Sequence, residues 1–409
     1  MNKTLRRTLG AVSAFAILSG AALAEPIKLD VTAWKGNESE PAGLSGLIAS
    51  FEAANPDIDV ELSYISRTDT DVVIPPRLQG GNPPDVMMVD MPLVKVWGDA
   101  GFLQDFGTDA EWYGRVPQDL RSAITLDGKA YIMPLEVIGM GLFTNMGMLK
   151  SVGIDAPPQT LDDLKTACAA LAAAGKNAMM LPGTWNAELF VIANGLGAGT
   201  TPASDLGNGT NTFVDDAGFN AALDTVRDLA GAGCFNAAQM AGVDPWSTAL
   251  AEFKAGNFAM MPQGAWNIAS FKENSSLEFV FGPIPTPSGG VAVDLFGIGW
   301  AASSASDNPE AAKKFIEFFA KAENLQVMLD AEAAYSPFDD GASGTPEQAA
   351  PYDAARAAGA ISSFPYALLT WPKPLESEIA DSLSSLFLEL SKTNEEILNR
   401  WDEVVEDDL

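Results

Sequence analysis

Nine tryptophans stand in the 409-residue chain, several of them where an apolar run gives way to a polar loop. Trp34 ends the alternating run that begins at Ile27, and Trp185 follows Leu181-Pro182-Gly183-Thr184. Trp266 follows Gln263-Gly264-Ala265, Trp300 follows Gly297-Ile298-Gly299, and Trp371 sits between Thr370 and Pro372. Flat rings stack on the apolar C–H faces of sugars, while carboxylates and amides hydrogen-bond the hydroxyls. Such groups lie nearby: Asn37 and Glu38 after Trp34, Asp90 after the Val86–Val89 run, Glu136 after Pro134, and Asn186 after Trp185. Any single tryptophan is explained equally well by a place in the core. Taken together they point to a stacking surface for a small molecule.

Other chemistries are set aside. With no histidine in the chain, Ser-His-Asp and Cys-His arrangements and histidine-bearing metal sites are excluded. No G-x-x-x-x-G-K-[ST] run occurs, and Gly195-Leu196-Gly197-Ala198-Gly199 lacks dinucleotide spacing and reads as a loop. The sequence therefore predicts no catalytic residue, no metal and no cofactor. An enzyme would need a carboxylate pair of the glycosidase kind. Asp90 with Glu136 is one such pair, but 54 acidic residues make pairs nonspecific. A polyamine held by acids and aromatics is a further alternative.

The elements that must position these groups show strand–helix–strand order. Ile27, Leu29 and Val31 alternate into Trp34; Leu44, Leu47, Ile48 and Phe51 share one helical face; Ile58, Val60, Leu62 and Tyr64 alternate again. That is a βαβ unit, hence an α/β fold with mainly parallel sheets and helices on their faces. Short apolar runs at Val86–Val89, Phe258–Met261 and Phe279–Phe281 fit strands covered on both sides. Thr160 with Asp163 predicts a capped helix start, as does Asn308-Pro309-Glu310. Gly175, Gly231 and Gly256 are expected as helix terminators, and 375–405 as one helical tail with Ile379, Leu383, Leu386 and Leu390 on its apolar stripe.

The first 24 residues have the grammar of a cleavable secretory signal: Lys3, Arg6 and Arg7, then apolar Leu9–Leu18, then Ala22-Leu23-Ala24. Leu5 and Thr8 depart from the twin-arginine pattern, leaving the general secretion route. Without a lipid-attachment cysteine in that segment, the expectation is a soluble periplasmic protein, not inserted in a membrane. Cleavage would leave 385 residues, enough for two lobes, and move the net charge from −30 to −33. Such a field disfavours nucleic acid and anionic lipid as partners. Cys168 and Cys234 are the only cysteines; in an oxidising compartment a bridge between them and two free thiols both remain open.

An ordered series of motifs carries a family resemblance. Phe51-Glu52-Ala53-Ala54-Asn55-Pro56-Asp57-Ile58-Asp59-Val60 resembles F-E-x-x-N-P-x-I-x-V. Gly81-Asn82-Pro83-Pro84-Asp85-Val86 resembles G-x-P-P-D-V, and Gly101–Phe106 resembles G-x-L-x-D-L. Asp127-Gly128-Lys129-Ala130-Tyr131-Ile132-Met133-Pro134 resembles D-G-K-x-Y-x-x-P. Phe253-Lys254-Ala255-Gly256-Asn257-Phe258 follows, with Gly264-Ala265-Trp266. The series, from about residue 27 to 330, is similar to the carbohydrate-type extracellular solute-binding proteins of ABC importers. Thr160-Leu161-Asp162 in place of T-W-D/E and Phe143-Thr144-Asn145 in place of Y-Y-N are departures that touch packing.

The resemblance implies a two-lobe periplasmic binding protein fold, with sugar held in the cleft and a permease's transmembrane subunits as partner. It implies lobes of 25–135 plus 292–338 and of 136–291 plus 339–409, in a monomer that binds without catalysis. Carried over by position, it makes Trp266 the stacking ring, Asp90 a hydrogen-bonding acid and Glu136 a residue at the lobe crossing. Gly299 and Trp300 become ligand-facing on the second return to the first lobe. With Trp34, Asn37, Glu38, Trp185 and Arg356 these complete the candidate site; past Pro337 no motif aligns, so Arg356, Tyr366 and Trp371 stand outside the series. Arg67 and Arg356 are the bases that an anionic sugar would want, with a plain surface placement as the alternative for each.

Overall fold

Two long strands organise the molecule, Met133–Asn145, buried throughout, and Gly289–Ala302, buried over most of its length. In this computed structural model, which describes residues 25–34 and 43–409, they pair antiparallel and pass through both halves of the chain. On one side lie Gly289–Ala302, Val86–Val89, Ile27–Trp34 and Ile58–Ile65, in that order; on the other lie Met133–Asn145, Phe258–Gly264 and Asn177–Met179. The outer strands of the first half are parallel, as the βαβ reading predicts. In the second half Asn177–Met179 is parallel to Phe258–Gly264, whereas Phe258–Gly264 and Phe279–Gly282 run antiparallel to Met133–Asn145. The antiparallel pairing follows from the crossing strands, which enter each half from opposite directions. The second crossing strand bulges between Phe296 and Ile298, where Gly297 takes φ +94° and a side chain would strike Met91.

Local signals act largely as expected. Leu44–Ala54 is a helix burying Leu44, Leu47, Ile48 and Phe51. Thr160 and Asp163 form a reciprocal capping box on Leu161–Ala173; Pro309 opens Pro309–Phe319, but the expected Asn308 side-chain cap is not made, its amide donating instead to the Lys28 carbonyl. Gly175 and Gly256 adopt positive φ. Gly231 does not; it is the last helical residue of Ala217–Gly231, and the left-handed position falls to Gly233. The tail is two helices, Lys373–Leu388 and Asn394–Asp408, because Thr393 and Glu396 make a second capping box that restarts the chain.

The glycine-rich 195–199 run is a further correction. It ends the helix Trp185–Ala198 and forms no free loop. A Cβ at Gly195 would lie 2.7 Å from the Phe219 ring, and one at Gly218 would lie 2.2 Å from the Gly195 carbonyl oxygen. These glycines let two helices close on one another. Cys168 and Cys234 are bridged, their Cα atoms 4.8 Å apart, tying helix Leu161–Ala173 to the turn after Ala217–Gly231. Among the described residues no helix is long and apolar enough to cross a membrane. The secretory segment lies outside the described residues.

Candidate functional site

Three loops at the carboxyl ends of the first-half strands meet at one edge, where an α/β sheet opens its crevice. Trp34 ends the first strand. Arg67 opens helix Arg67–Gln79, whose start is capped by Ser66 accepting from the Asp69 N–H. Asp90 caps helix Met91–Asp99 by accepting from the Leu93 N–H at 3.1 Å. The Arg67 Nε donates to Asp90 Oδ2 at 2.5 Å, and its Nη1 to Asp71 Oδ2 at 3.1 Å. The guanidinium carbon lies 5.5 Å from the Trp34 ring centroid, in cation–π range. Trp34 therefore already carries a cation. Asn37 and Glu38 lie outside the described residues.

The second half presents a different surface. Trp185 starts a helix just after strand Asn177–Met179, and Trp266 lies in the turn Ala265–Asn267 just after the neighbouring parallel strand Phe258–Gly264. Trp246 joins them. Ring centroids are 4.9 Å apart for Trp185–Trp246, 5.8 Å for Trp185–Trp266 and 6.3 Å for Trp246–Trp266. All three rings are only partly buried. Gly264 is required here, since a Cβ would lie 2.3 Å from the Trp266 indole. Trp246 escaped the sequence reading, although Asp244-Pro245-Trp246-Ser247 carries a signal. The Asp244 carboxylate accepts from the Trp246 and Ser247 N–H groups and fixes the turn.

Helix Lys373–Leu388 packs on the helix that Trp185 begins and reaches back across the molecule. The Lys373 ammonium donates to Asp71 Oδ1 at 2.6 Å. One turn on, burial and the nearby Asp90 carboxylate push Glu376 up to about 6, against the pull of Arg67 and Lys373. Glu188, a turn beyond Trp185 and 1% exposed, is held well above the carboxylate range by burial and by Glu376, with the Tyr366 hydroxyl opposing. Glu188, Tyr366, Lys373 and Glu376 were not singled out together from sequence because distant helices assemble them.

Glu136 is 7% exposed on the first crossing strand, and its Oε2 has no hydrogen-bond partner. The chain leaving helix Ala322–Glu332 pairs Tyr335 with Val137 through two 2.9 Å bonds, bringing Glu332 beside Glu136. Burial, then the Glu332 charge, raise Glu136 well above its ordinary value, and burial pushes Glu332 up to about 7. Helix Ala322–Glu332 also packs against the turn that carries Trp266. Asp90 and Glu136 are thus engaged with different partners, one in an ion pair and one in a buried carboxyl pair.

Three sequence candidates need correction. Trp300 is 0% exposed, its ring 5.5 Å from both Phe315 and Phe319; it presents no face, because its strand position points into the helix layer. Gly299 is a packing glycine, where a Cβ would lie 2.2 Å from the Met133 carbonyl oxygen. Arg356 donates to Asp294 at 2.9 Å and lies 4.0 Å from the Tyr335 ring centroid, so its charge is used within the fold. Trp371 is likewise buried against Phe213 and Phe219, its indole N–H on the Ala203 carbonyl.

The chain is similar to known proteins along most of its length. The family model for bacterial extracellular solute-binding proteins matches residues 35–326. A maltodextrin-binding protein of Bacillus subtilis, MdxE, is 28% identical over 301 residues, 70% of this chain and 68% of that protein. A maltooligosaccharide ABC transporter solute-binding lipoprotein of Streptococcus pneumoniae is 26% identical over 62% of this chain and 59% of its own length. In structure, the GacH receptor of Streptomyces glaucescens superposes with a TM-score of 0.75 at 19% identity, over 94% of this chain and 98% of that one. Its fold is shared: two α/β lobes with the cleft between them. With the family model covering well over half of it, this chain belongs to the bacterial extracellular solute-binding proteins.

Proposed function

We propose that the protein is the sugar-capturing component of an ABC importer, a binding protein without catalysis. The observation that carries this is the partly exposed patch of Trp185, Trp246 and Trp266, two of them just past neighbouring parallel strands. Partly exposed indoles in mutual contact offer an apolar face with polar edges, which suits the C–H face of a pyranose. The maltodextrin- and maltooligosaccharide-binding relatives support the same ligand class. We place the lobes at 25–135 plus 292–338 and 136–291 plus 339–409, supported by the crossing strands and by a third passage at Pro365–Leu368, which packs on helix Met91–Asp99. Sugar touching both lobes stabilises the closed form, which then docks on the permease's transmembrane subunits. The leader-like N-terminus supports a periplasmic location, and the net charge of −30 supports a monomer that avoids nucleic acid.

The test is thermal shift and calorimetry against neutral mono- and disaccharides, with spermidine as the cationic control. Stabilisation by a sugar that is recovered intact is expected. Turnover of the sugar, or binding of spermidine alone, would overturn the reading.

A further inference from the structure

We infer that the cleft takes a short saccharide, of one or two pyranose units, and that the Asp71–Lys373 pair closes it to longer chains. This deepens the sugar-binding reading and rests on it. A groove for a long glycan needs stacking platforms spaced along it, because each glycosidic link carries the next ring onward. All nine tryptophans are placed in the structure. Trp97, Trp112, Trp300, Trp371 and Trp401 are buried, at most 3% exposed, and offer no face. Trp34 holds the Arg67 guanidinium. The remaining three share one patch in which no two ring centroids are more than 6.3 Å apart and the planes tilt by 33–49°. That is a single wall with room for one or two sugars.

Both flanks of the wall are occupied. On one, helix Trp185–Ala198 packs against helix Lys373–Leu388. There Lys373 joins Asp71, which also holds Arg67, itself bound to Asp90. This chain of charges links helix Lys373–Leu388 to helix Arg67–Gln79 from the other half of the molecule. On this inference, a glycan extending past Trp185 along that helix pair separates Lys373 from Asp71. On the other flank, helix Ala322–Glu332 packs against the Trp266 turn.

The experiment is calorimetry with gluco-, galacto-, xylo- and N-acetylglucosamine saccharides of one, two and four units. The stereochemical series that binds is expected to gain affinity from one to two units and to change less than twofold from two to four. A tenfold or larger gain from two to four units would overturn the length limit while leaving sugar binding intact. No binding by any saccharide at any length would instead remove the sugar reading, and this inference with it. Lys373→Ala and Asp71→Asn, shown to be folded by circular dichroism and melting, should raise the ratio of four-unit to two-unit affinity at least fivefold. An unchanged ratio would show that the pair does not close the cleft.

Discussion

Of the four tryptophans that keep exposed surface, one stands on the first lobe and three on the second, and their neighbours differ in kind. Trp34 is bordered by Arg67, Asp71 and Asp90, a connected set of charges that already uses its ring. The rings of Trp185, Trp246 and Trp266 contact one another, and their turns are held by glycine contacts and by the Asp244 carboxylate. An apolar wall supplies affinity through buried area, whereas a part-exposed ionic network supplies little net energy and much geometry. On the proposed sugar-binding function, the contrast would put ligand retention on the second lobe and the docking of one lobe on the other on the first.

The largest test of that division concerns the rigidity of the second lobe. Cys168→Ser or Cys234→Ser opens a link spanning 66 residues, and the loop-closure estimate is about 4 kcal/mol of stability. Denaturant melts should show that loss; a change under about 1 kcal/mol would mean the lobe does not depend on its bridge. Next, Trp266→Ala should weaken sugar binding by roughly thirtyfold or more, the range of a well-packed aromatic anchor. Trp34→Ala should cost less than about fivefold, because its ring carries Arg67 and an exposed ion-pair setting contributes little. Equal losses from the two substitutions would erase the asymmetry between the lobes.

A smaller effect probes the carboxyl pair where the lobes join. Glu332 is held at about 7 against its ordinary 4.5, so the folded protein binds that proton more tightly than the unfolded chain. Stability from this group is present below about pH 4.5 and declines as pH rises towards 7; above that, the ionised carboxylate opposes folding. Glu332→Gln should therefore raise the melting midpoint by roughly 2–4 °C above neutral pH, with no gain at low pH. A pH-independent effect would mean that the pair with Glu136 does not titrate as a unit. Smallest of all, Thr393→Ala should cost about 1 kcal/mol by removing the capping box of the last helix. It should leave sugar affinity unchanged, since that helix packs on Lys373–Leu388 and Ala217–Gly231.

Much of this fold was legible in the chain because its signals are local. Alternation located Ile27–Trp34 and Ile58–Ile65, the threonine–acid spacing located the start of Leu161–Ala173, and Pro309 opened its helix. The same rule, applied at Thr393 and Glu396, would have divided the tail correctly. The 195–199 glycines misled because their reason lies in Phe219 and Gly218, residues of another helix.

The candidate site divides along the same line. Residue type and position after a strand were enough to single out Trp34, Trp185, Trp266 and Asp90. Those features follow from composition and period, which the amino-acid order carries by itself. Whether a tryptophan faces a cleft or a core depends on which helices cover its strand, and that decision belongs to the packed molecule. It buried Trp300 among Phe315 and Phe319, brought Trp246 beside Trp185, and set Lys373 against Asp71 across 302 residues of chain. The family, the βαβ order and the candidate rings were determined by sequence. Which rings remain bare, and which charges close around them, was decided by tertiary structure, because exposure and ion pairing are relations between distant segments.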